Sequence, residues 1–103
     1  MKQVFISQPM NNVGEEQIQR NIEKTKEQLQ KEIGREFNII NTYIEQEPPK
    51  DINAGLWYLG KSIEFLAMAD VTVFINNWEM ARGCNIEHSC AVAYGIPCIY
   101  LEV

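Results

Sequence analysis

The segment Val71–Ile75, with the sequence VTVFI, decides the fold class of this chain. Five consecutive β-branched or aromatic residues predict a central strand of the sheet, because such residues favour strands and Thr72 is the one polar residue among them. Three more segments have strand composition: Lys2–Ser7, Phe37–Asn41 and Cys98–Leu101. The sequence therefore predicts four short strands, far enough apart along the chain for a helix to lie between each pair.

The segments between the strands have helical patterns. Four apolar residues recur at helical spacing after the first strand: Ile18, Ile22, Leu29 and Ile33. Asn12 followed by Glu15 resembles a capping box, so we expect the first helix to begin there and to end at Gly34. Residues 54–69 form a second predicted helix that is apolar on most sides, which is typical of a buried helix or a subunit interface. A third helix is predicted from about Cys84 to Tyr94.

Alternating strands and helices predict parallel pairing through right-handed crossovers. We expect one domain spanning residues 1–103, a small Rossmann-like or flavodoxin-like α/β fold of three layers. Its four-stranded sheet has the predicted order 2-1-3-4 and about three helices. Ligands of such sheets bind outside the carboxyl ends of the strands, where the strand order reverses. That rule selects the loops Ser7–Met10 and Asn76–Gly83 as the predicted ligand pocket.

Composition excludes several classes of function. A net charge of -5 and a pI near 4.8 argue against binding a nucleic-acid polymer, because no basic stripe is available for the phosphates. The apolar runs are strand-sized and no secretory signal opens the chain, so we expect a cytoplasmic protein without membrane contact. The three cysteines, Cys84, Cys90 and Cys98, lack metal-ligand spacing, and no glycine-rich nucleotide motif is present. No metal and no cofactor are predicted. The core of a 103-residue chain is small, which favours a homodimer or a higher homo-oligomer.

The second pocket loop carries residue types that bind anions and attack electrophiles. We expect the helix after it to present free backbone amides at Gly83, Cys84 and Asn85, with Gly83 allowing close approach of a ligand. Arg82 adds a guanidinium that suits a phosphate or a carboxylate. Glu87 follows about one turn later, where a carboxylate can attack an anomeric carbon or stabilise an oxocarbenium-like charge. Alternatively, Glu87 caps the helix or pairs with Arg82.

Other loop residues have both a binding and a structural interpretation. Trp78, beside Asn76 and Asn77, suits a stacked and hydrogen-bonded base, or else it belongs to the core or to an interface. Ser7 and Gln8 either contact a ribose or a phosphate or simply end the first strand. The predicted substrate-binding residues are Ser7, Gln8, Pro9, Met10, Asn76, Trp78, Arg82 and Gly83.

Four stretches of the chain also carry a family resemblance. They are Val4–Met10 (VFISQPM), Leu56–Ser62 (LWYLGKS), Ala69–Val71 (ADV) and Ala81–His88 (ARGCNIEH). Together they resemble a family of small uncharacterised bacterial and phage proteins that is similar to nucleoside 2-deoxyribosyltransferases. The resemblance covers nearly the whole chain. It implies a Rossmann-like sheet, a sugar held by the loop after the first strand, and oligomers whose neighbouring subunits complete each other's sites.

The resemblance also implies a role for Glu87, whose position matches the glutamate nucleophile of the transferases. Two positions depart from the transferase pattern. Ala81 and Arg82 stand near the place of an acidic residue that helps to protonate the base, and Asn76-Asn77 replaces an Asp-Gly pair. Acid assistance to a departing base is therefore missing or comes from elsewhere. Arg82 shifts the expected ligand from a nucleoside towards an anionic nucleotide.

Three hypotheses follow. The first is a nucleotide- or nucleoside-directed N-glycosidase or deoxyribosyltransferase-like enzyme, with Glu87 as the catalytic residue and a small molecule as its partner. The alternative is a protein on the same fold that senses or sequesters a nucleotide derivative without cleaving it. A third interpretation is an interaction protein whose apolar second helix mediates assembly, since a fold does not determine a function.

Overall fold

A computed structural model describes all residues, 1–103, of the chain. Its four strands form one parallel sheet in the order β2-β1-β3-β4. The strands are β1 (Lys2–Ser7), β2 (Phe37–Ile39), β3 (Val71–Ile75) and β4 (Cys98–Leu101). The helices are α1 (Glu15–Ile33), α2 (Ala54–Leu66) and α3 (Arg82–Ala93), with a 3₁₀ turn at Trp78–Met80. The predicted fold class, strand order and number of helices are confirmed.

Two separate cores lie on the two faces of the sheet, because successive strand side chains point to opposite faces. Val4 and Ile6 of β1 pack with Leu29 of α1. Phe5 packs on the other face with Leu66 of α2 and with α3. The sheet is therefore the middle of three layers, with α1 on one face and α2 and α3 on the other. Every residue of β3 is buried, including the polar Thr72, as expected for a central strand.

The ends of α1 confirm one prediction and correct another. Gly34 ends the helix in the left-handed region, with φ of 64°, and its N–H donates to the Gln30 carbonyl at 3.1 Å. The predicted capping box at Asn12 is wrong. The helix begins after Gly14, no side chain caps it, and Asn12 itself has φ of 61° in the preceding turn. Asn12 lies two residues ahead of the cap position, so its side chain serves no helix terminus.

The other elements differ from the predictions at their edges. β2 is shorter than predicted and ends at Ile39, and α2 ends at Leu66 instead of continuing to residue 69. The expectation that α2 is buried on most sides is wrong, since Leu66 is its one buried residue and Leu56 remains 65% exposed. A helix that lies on a sheet buries one stripe, and nothing in this chain covers the outer side of α2. None of the three helices combines the length and the apolar composition that a membrane crossing requires.

Candidate functional site

Three elements converge on the carboxylate of Glu87. The residue lies in the second turn of α3 and is 7% exposed. Ser7, the last residue of β1, donates its hydroxyl to Glu87 Oε1 at 2.7 Å. Ser62 of α2 donates its hydroxyl to Glu87 Oε2 at 2.6 Å. Each carboxylate oxygen is therefore held by one hydroxyl and keeps a further lone pair.

The surroundings of Glu87 act on its charge in opposite directions. Burial raises the pKa of the Glu87 carboxyl above its ordinary value, and the hydrogen bonds from Ser62 and Ser7 oppose part of that rise because they stabilise the anion. Cys84 lies one turn earlier on the same side of α3 and is also buried. Burial raises the pKa of the Cys84 thiol; hydrogen bonding with Ser7 opposes this rise, and the charge of Glu87 adds to it. The site therefore holds a carboxyl group and a neutral thiol behind a serine.

The start of α3 lies two residues before the predicted one, and the set of free amides shifts by one residue. The helix begins at Arg82, so its free amides are those of Arg82, Gly83 and Cys84. The predicted free amide of Asn85 is wrong, because that N–H donates to the Ala81 carbonyl at 3.1 Å. A methyl group at Gly83 would meet only the Leu59 side chain, at 4.0 Å, so packing does not demand a glycine there.

Arg82 is exposed and does not pair with Glu87. The two ion pairs of the chain join Lys26 to Glu23 and Lys61 to Glu64. Both structural alternatives for Glu87, a helix cap and an ion pair with Arg82, are therefore wrong. The Arg82 guanidinium stands beside the free amides of α3 without an anionic partner from the chain.

The residues at the end of β1 and in the loop after it, Ser7–Met10, lie on both faces of the sheet. Ser7 faces α2 and α3, whereas Gln8 is buried on the α1 side and accepts a hydrogen bond from Asn21 Nδ2 at 3.1 Å. Pro9 is half-buried and Met10 is exposed. The two loops meet at the carboxyl ends of β1 and β3, which are adjacent strands in the sheet.

Two predicted pocket residues have partners within the chain. Asn76 donates its Nδ2 to the Val103 carbonyl at 3.0 Å and accepts from the Val103 amide at 2.8 Å. Trp78 packs against His88, with ring centroids 4.6 Å apart, and against Phe74 at 5.0 Å. Both residues thus shape the second loop, and Trp78 belongs to an aromatic cluster of four rings. The cluster consists of Phe74, Trp78, His88 and Tyr100.

Sequence reasoning missed Ser62 and Asn21 as site residues. Ser62 is the only serine or threonine of the apolar α2, and a lone hydroxyl in such a helix is a signal that could have identified it. Asn21 lies on the buried stripe of α1 together with Thr25 and Leu29, where a polar residue needs partners. Both signals point to a buried polar contact, and neither names the partner.

Two concavities of the surface lie away from Glu87. One, of about 470 Å³, opens at the amino ends of the strands, at the other end of the sheet from Glu87. It is lined by Met1, Lys2, Arg35, Glu36 and Asp70. The other, of about 320 Å³, is an apolar groove along α3 lined by Asn85, Ile86, Ser89, Cys90, Ala93 and Tyr94. Glu87 itself is 7% exposed, so its carboxylate is covered in this conformation. No three His, Cys, Asp or Glu side chains are grouped so as to hold a metal ion.

Comparison with known proteins gives no match: no family model, no curated protein and no solved structure is similar to this chain. Only the residues around Glu87 and their chemistry therefore bear on its function.

Proposed function

We propose that this chain is an enzyme that acts on the N-glycosidic bond of a nucleotide or nucleoside, as an N-glycosidase or a deoxyribosyltransferase-like enzyme. One observation carries the proposal. A buried carboxylate, Glu87, lies at the carboxyl end of β1 and is held at both oxygens by the hydroxyls of Ser7 and Ser62. A carboxylate fixed at a strand switch point, beside the free amides of a helix, has the position and the orientation of a nucleophile.

The chemistry balances with this carboxylate alone. One Glu87 oxygen forms a bond to the anomeric carbon while the C–N bond breaks, and the electron pair of that bond leaves with the base. The base takes a proton from solvent, since no second carboxyl group contacts Glu87. Water or a second base then attacks the anomeric carbon and gives up a proton to solvent, while the bond to the Glu87 oxygen breaks and the carboxylate is regenerated. Water gives a glycosidase, and a second base gives a transferase with retained configuration.

The loops supply the remaining contacts. Ser7 orients the nucleophile, and Gln8, Pro9 and Met10 line the sugar. The free amides of Arg82 and Gly83, with the Arg82 guanidinium, bind a phosphate. Trp78 offers an aromatic edge to the base from within its cluster. The amide of Asn76 is committed to Val103, so Asn76 holds the loop in place instead of contacting the ligand.

The test is incubation of the purified protein with a panel of nucleosides, nucleotides and NAD-like compounds, followed by mass spectrometry. We expect the parent to release a free base. Glu87→Gln should lose at least about a hundredfold in rate, as expected when a catalytic carboxylate is removed. Gln keeps the shape of Glu, and both serine hydroxyls can accept a hydrogen bond as well as donate one, so this variant should fold.

The variant Ser62→Ala tests the hydroxyl that holds Glu87 separately from the nucleophile itself. It removes one hydroxyl from Glu87 and leaves the carboxylate, so we expect a loss of about tenfold, the magnitude of one hydrogen bond to a charged group. Glu27→Gln, at an exposed position of α1, is the matched control and should keep the parental rate. Equal turnover by the parent and by Glu87→Gln would refute the mechanism.

A second candidate function is binding of a nucleotide derivative without cleavage. The observation that favours it is the burial of Glu87, which is only 7% exposed. A binder would carry an intact compound that denaturation releases, and Glu87→Gln would release the same compound. Recovery of free base would count against this alternative.

We further propose that the chain associates with a second copy of itself through the outer sides of α2 and α3. Exposed apolar side chains are found on both helices, among them Leu56, Tyr58, Ile86 and Val92. The two helices carry two cations and two carboxylates, so the whole net charge of -5 lies on the rest of the chain. Two such faces, partly apolar and with no net charge, can meet without net electrostatic repulsion.

A further inference from the structure

A chain of four side chains leads from the surface of α1 to the end of β1. Arg20 Nη2 donates to Gln17 Oε1 at 2.9 Å, and Gln17 Nε2 donates to Asn21 Oδ1 at 2.8 Å. Asn21 Nδ2 then donates to Gln8 Oε1 at 3.1 Å. Asn21 and Gln8 are buried, whereas Arg20 is exposed to solvent.

Arg20, the first side chain of this series, fixes which end of each following carboxamide donates a hydrogen bond and which end accepts one. A guanidinium can only donate hydrogen bonds, whereas each carboxamide can turn over and exchange its donor for its acceptor. Because Arg20 donates, Gln17 must accept with its oxygen and donate with its nitrogen. The same rule then applies to Asn21, whose nitrogen is left for the Gln8 oxygen. Arg20 thereby determines which end of the Gln8 carboxamide faces outwards.

The outward end of Gln8 is its amide nitrogen. No group of the chain accepts a hydrogen bond from Gln8 Nε2, and Thr72 Oγ1 is the only buried side-chain polar atom without a partner. Gln8 Nε2 is therefore reached by solvent, although the residue as a whole is 5% exposed. Gln8 directly follows Ser7, so this donor stands at the same strand end as the Glu87 site.

We infer that Arg20, Gln17 and Asn21 are positioning residues that make Gln8 a hydrogen-bond donor to the ligand. The ligand atom that meets Gln8 is then an oxygen that can only accept, the ring oxygen of the sugar or a phosphate oxygen, and not an amino group. The inference rests on the proposed function, because it takes the ligand to lie at the ends of β1 and β3. The polarity of the Gln8 carboxamide does not depend on any ligand and is tested separately.

Arg20→Glu reverses the direction of every hydrogen bond in this series of side chains, starting at its exposed end. A carboxylate can only accept, so Gln17 would donate to Glu at position 20, Asn21 would donate to Gln17, and Gln8 would donate to Asn21. Gln8 would then present its oxygen outwards. Lys24→Glu is the matched control, because it makes the same charge change at an exposed position of the same helix, outside the chain of amides.

The first readout is the nitrogen-15 NMR signal of the Gln8 side-chain amide, assigned by its absence from Gln8→Glu. We expect exchange of these protons with water to slow by about tenfold in Arg20→Glu, since the group becomes hydrogen-bonded inside the protein. Lys24→Glu should match the parent. Unchanged Gln8 and Asn21 signals in Arg20→Glu would overturn the inference.

The second readout is affinity for 2′-deoxyuridine 5′-monophosphate. We expect Arg20→Glu to bind it about tenfold more weakly than Lys24→Glu does, because an acceptor would face an acceptor. Equal affinities with a reversed amide would overturn the ligand contact at Gln8. If the parent binds no compound of the nucleotide panel while the amide still reverses, the proposed function fails and the polarity of Gln8 stands.

Discussion

At the scale of single residues, Glu87 is a carboxyl group that folding makes harder to ionise. Its folded pKa lies above the ordinary value of 4.5, so the folded state holds more protons than the unfolded state just above that pH. The free energy of unfolding therefore falls as the pH rises from about 4.5 through the folded pKa, and it does not recover above it. Glu87→Gln removes this pH-dependent fall in the free energy of unfolding.

We expect Glu87→Gln to have a higher Tm than the parent at neutral pH, with the difference vanishing as the pH falls below about 4.5. Thermal unfolding of both proteins across this range measures it. Glu27→Gln should follow the parent at every pH, because its carboxyl is exposed. A Glu87→Gln protein that is less stable than the parent at neutral pH would show that the serine hydrogen bonds outweigh the burial.

The sequence predicts Glu87 and Ser7 as site residues, but not Ser62, which holds the second carboxylate oxygen. The place of Glu87 after the loop at Arg82 follows from the order of elements, because strand ends and helix starts are visible as local patterns. Ser62 lies 25 residues away in the chain and reaches Glu87 only because α2 packs beside α3. Asn76 shows the opposite error. It follows β3 directly, but its left-handed backbone, with φ of 37°, accompanies a side chain bonded to Val103.

At the scale of elements, the end of α1 depends on a conformation that favours glycine. Gly34 has φ of 64°, so Gly34→Ala forces a Cβ into the left-handed region and should cost about 1 kcal/mol of stability. Gly14, the N-cap residue at the other end of the helix, has φ of -67°, and a Cβ added there would meet no heavy atom within 4 Å. Gly14→Ala therefore strains no backbone and should lose only about half a kcal/mol, the preference of the N-cap position for glycine over alanine. Urea unfolding of the two variants measures the difference. Equal losses would contradict this account of the helix end.

Local patterns predict where most elements lie but not how much of each is covered. The apolar run of β3 and the terminal glycine of α1 are properties of adjacent residues, and both predictions are confirmed. The burial of α2 is a property of its neighbours. Its composition is typical of a buried helix, yet only its inner stripe meets the sheet and Tyr58 is 42% exposed. Composition cannot distinguish a helix covered by its own chain from one whose outer side is left open.

At the scale of the whole molecule, the apolar outer sides of α2 and α3 are the surface through which we propose self-association. Tyr58→Glu puts a charge on this surface and should weaken a dimer by about tenfold or more. Tyr43→Glu is the matched control, since Tyr43 is 71% exposed in a loop outside both helices. Sedimentation at several concentrations measures the association. A parent that stays monomeric at high concentration would contradict the proposal.

The overall topology was the most predictable property of the chain. Alternating strands and helices, with right-handed crossovers, leave few arrangements, and the order β2-β1-β3-β4 is the one found. The cover over Glu87 was not predictable, because it depends on the angle at which α2 lies against α3. Sequence patterns determine the order of the strands and helices. The packing of side chains between α2 and α3 determines how far Glu87 is exposed.

The pairing of β1 with β3 has a consequence for biosynthesis. Val4 is partnered by Val71, so the edge of β1 that faces β3 stays unpaired until the segment around Val71 has been synthesised. An N-terminal fragment that stops before residue 71 lacks that partner and exposes the apolar residues of β1. Folding during translation is therefore expected to be late and nearly all at once, and nascent chains stalled before β3 are the species that need a chaperone.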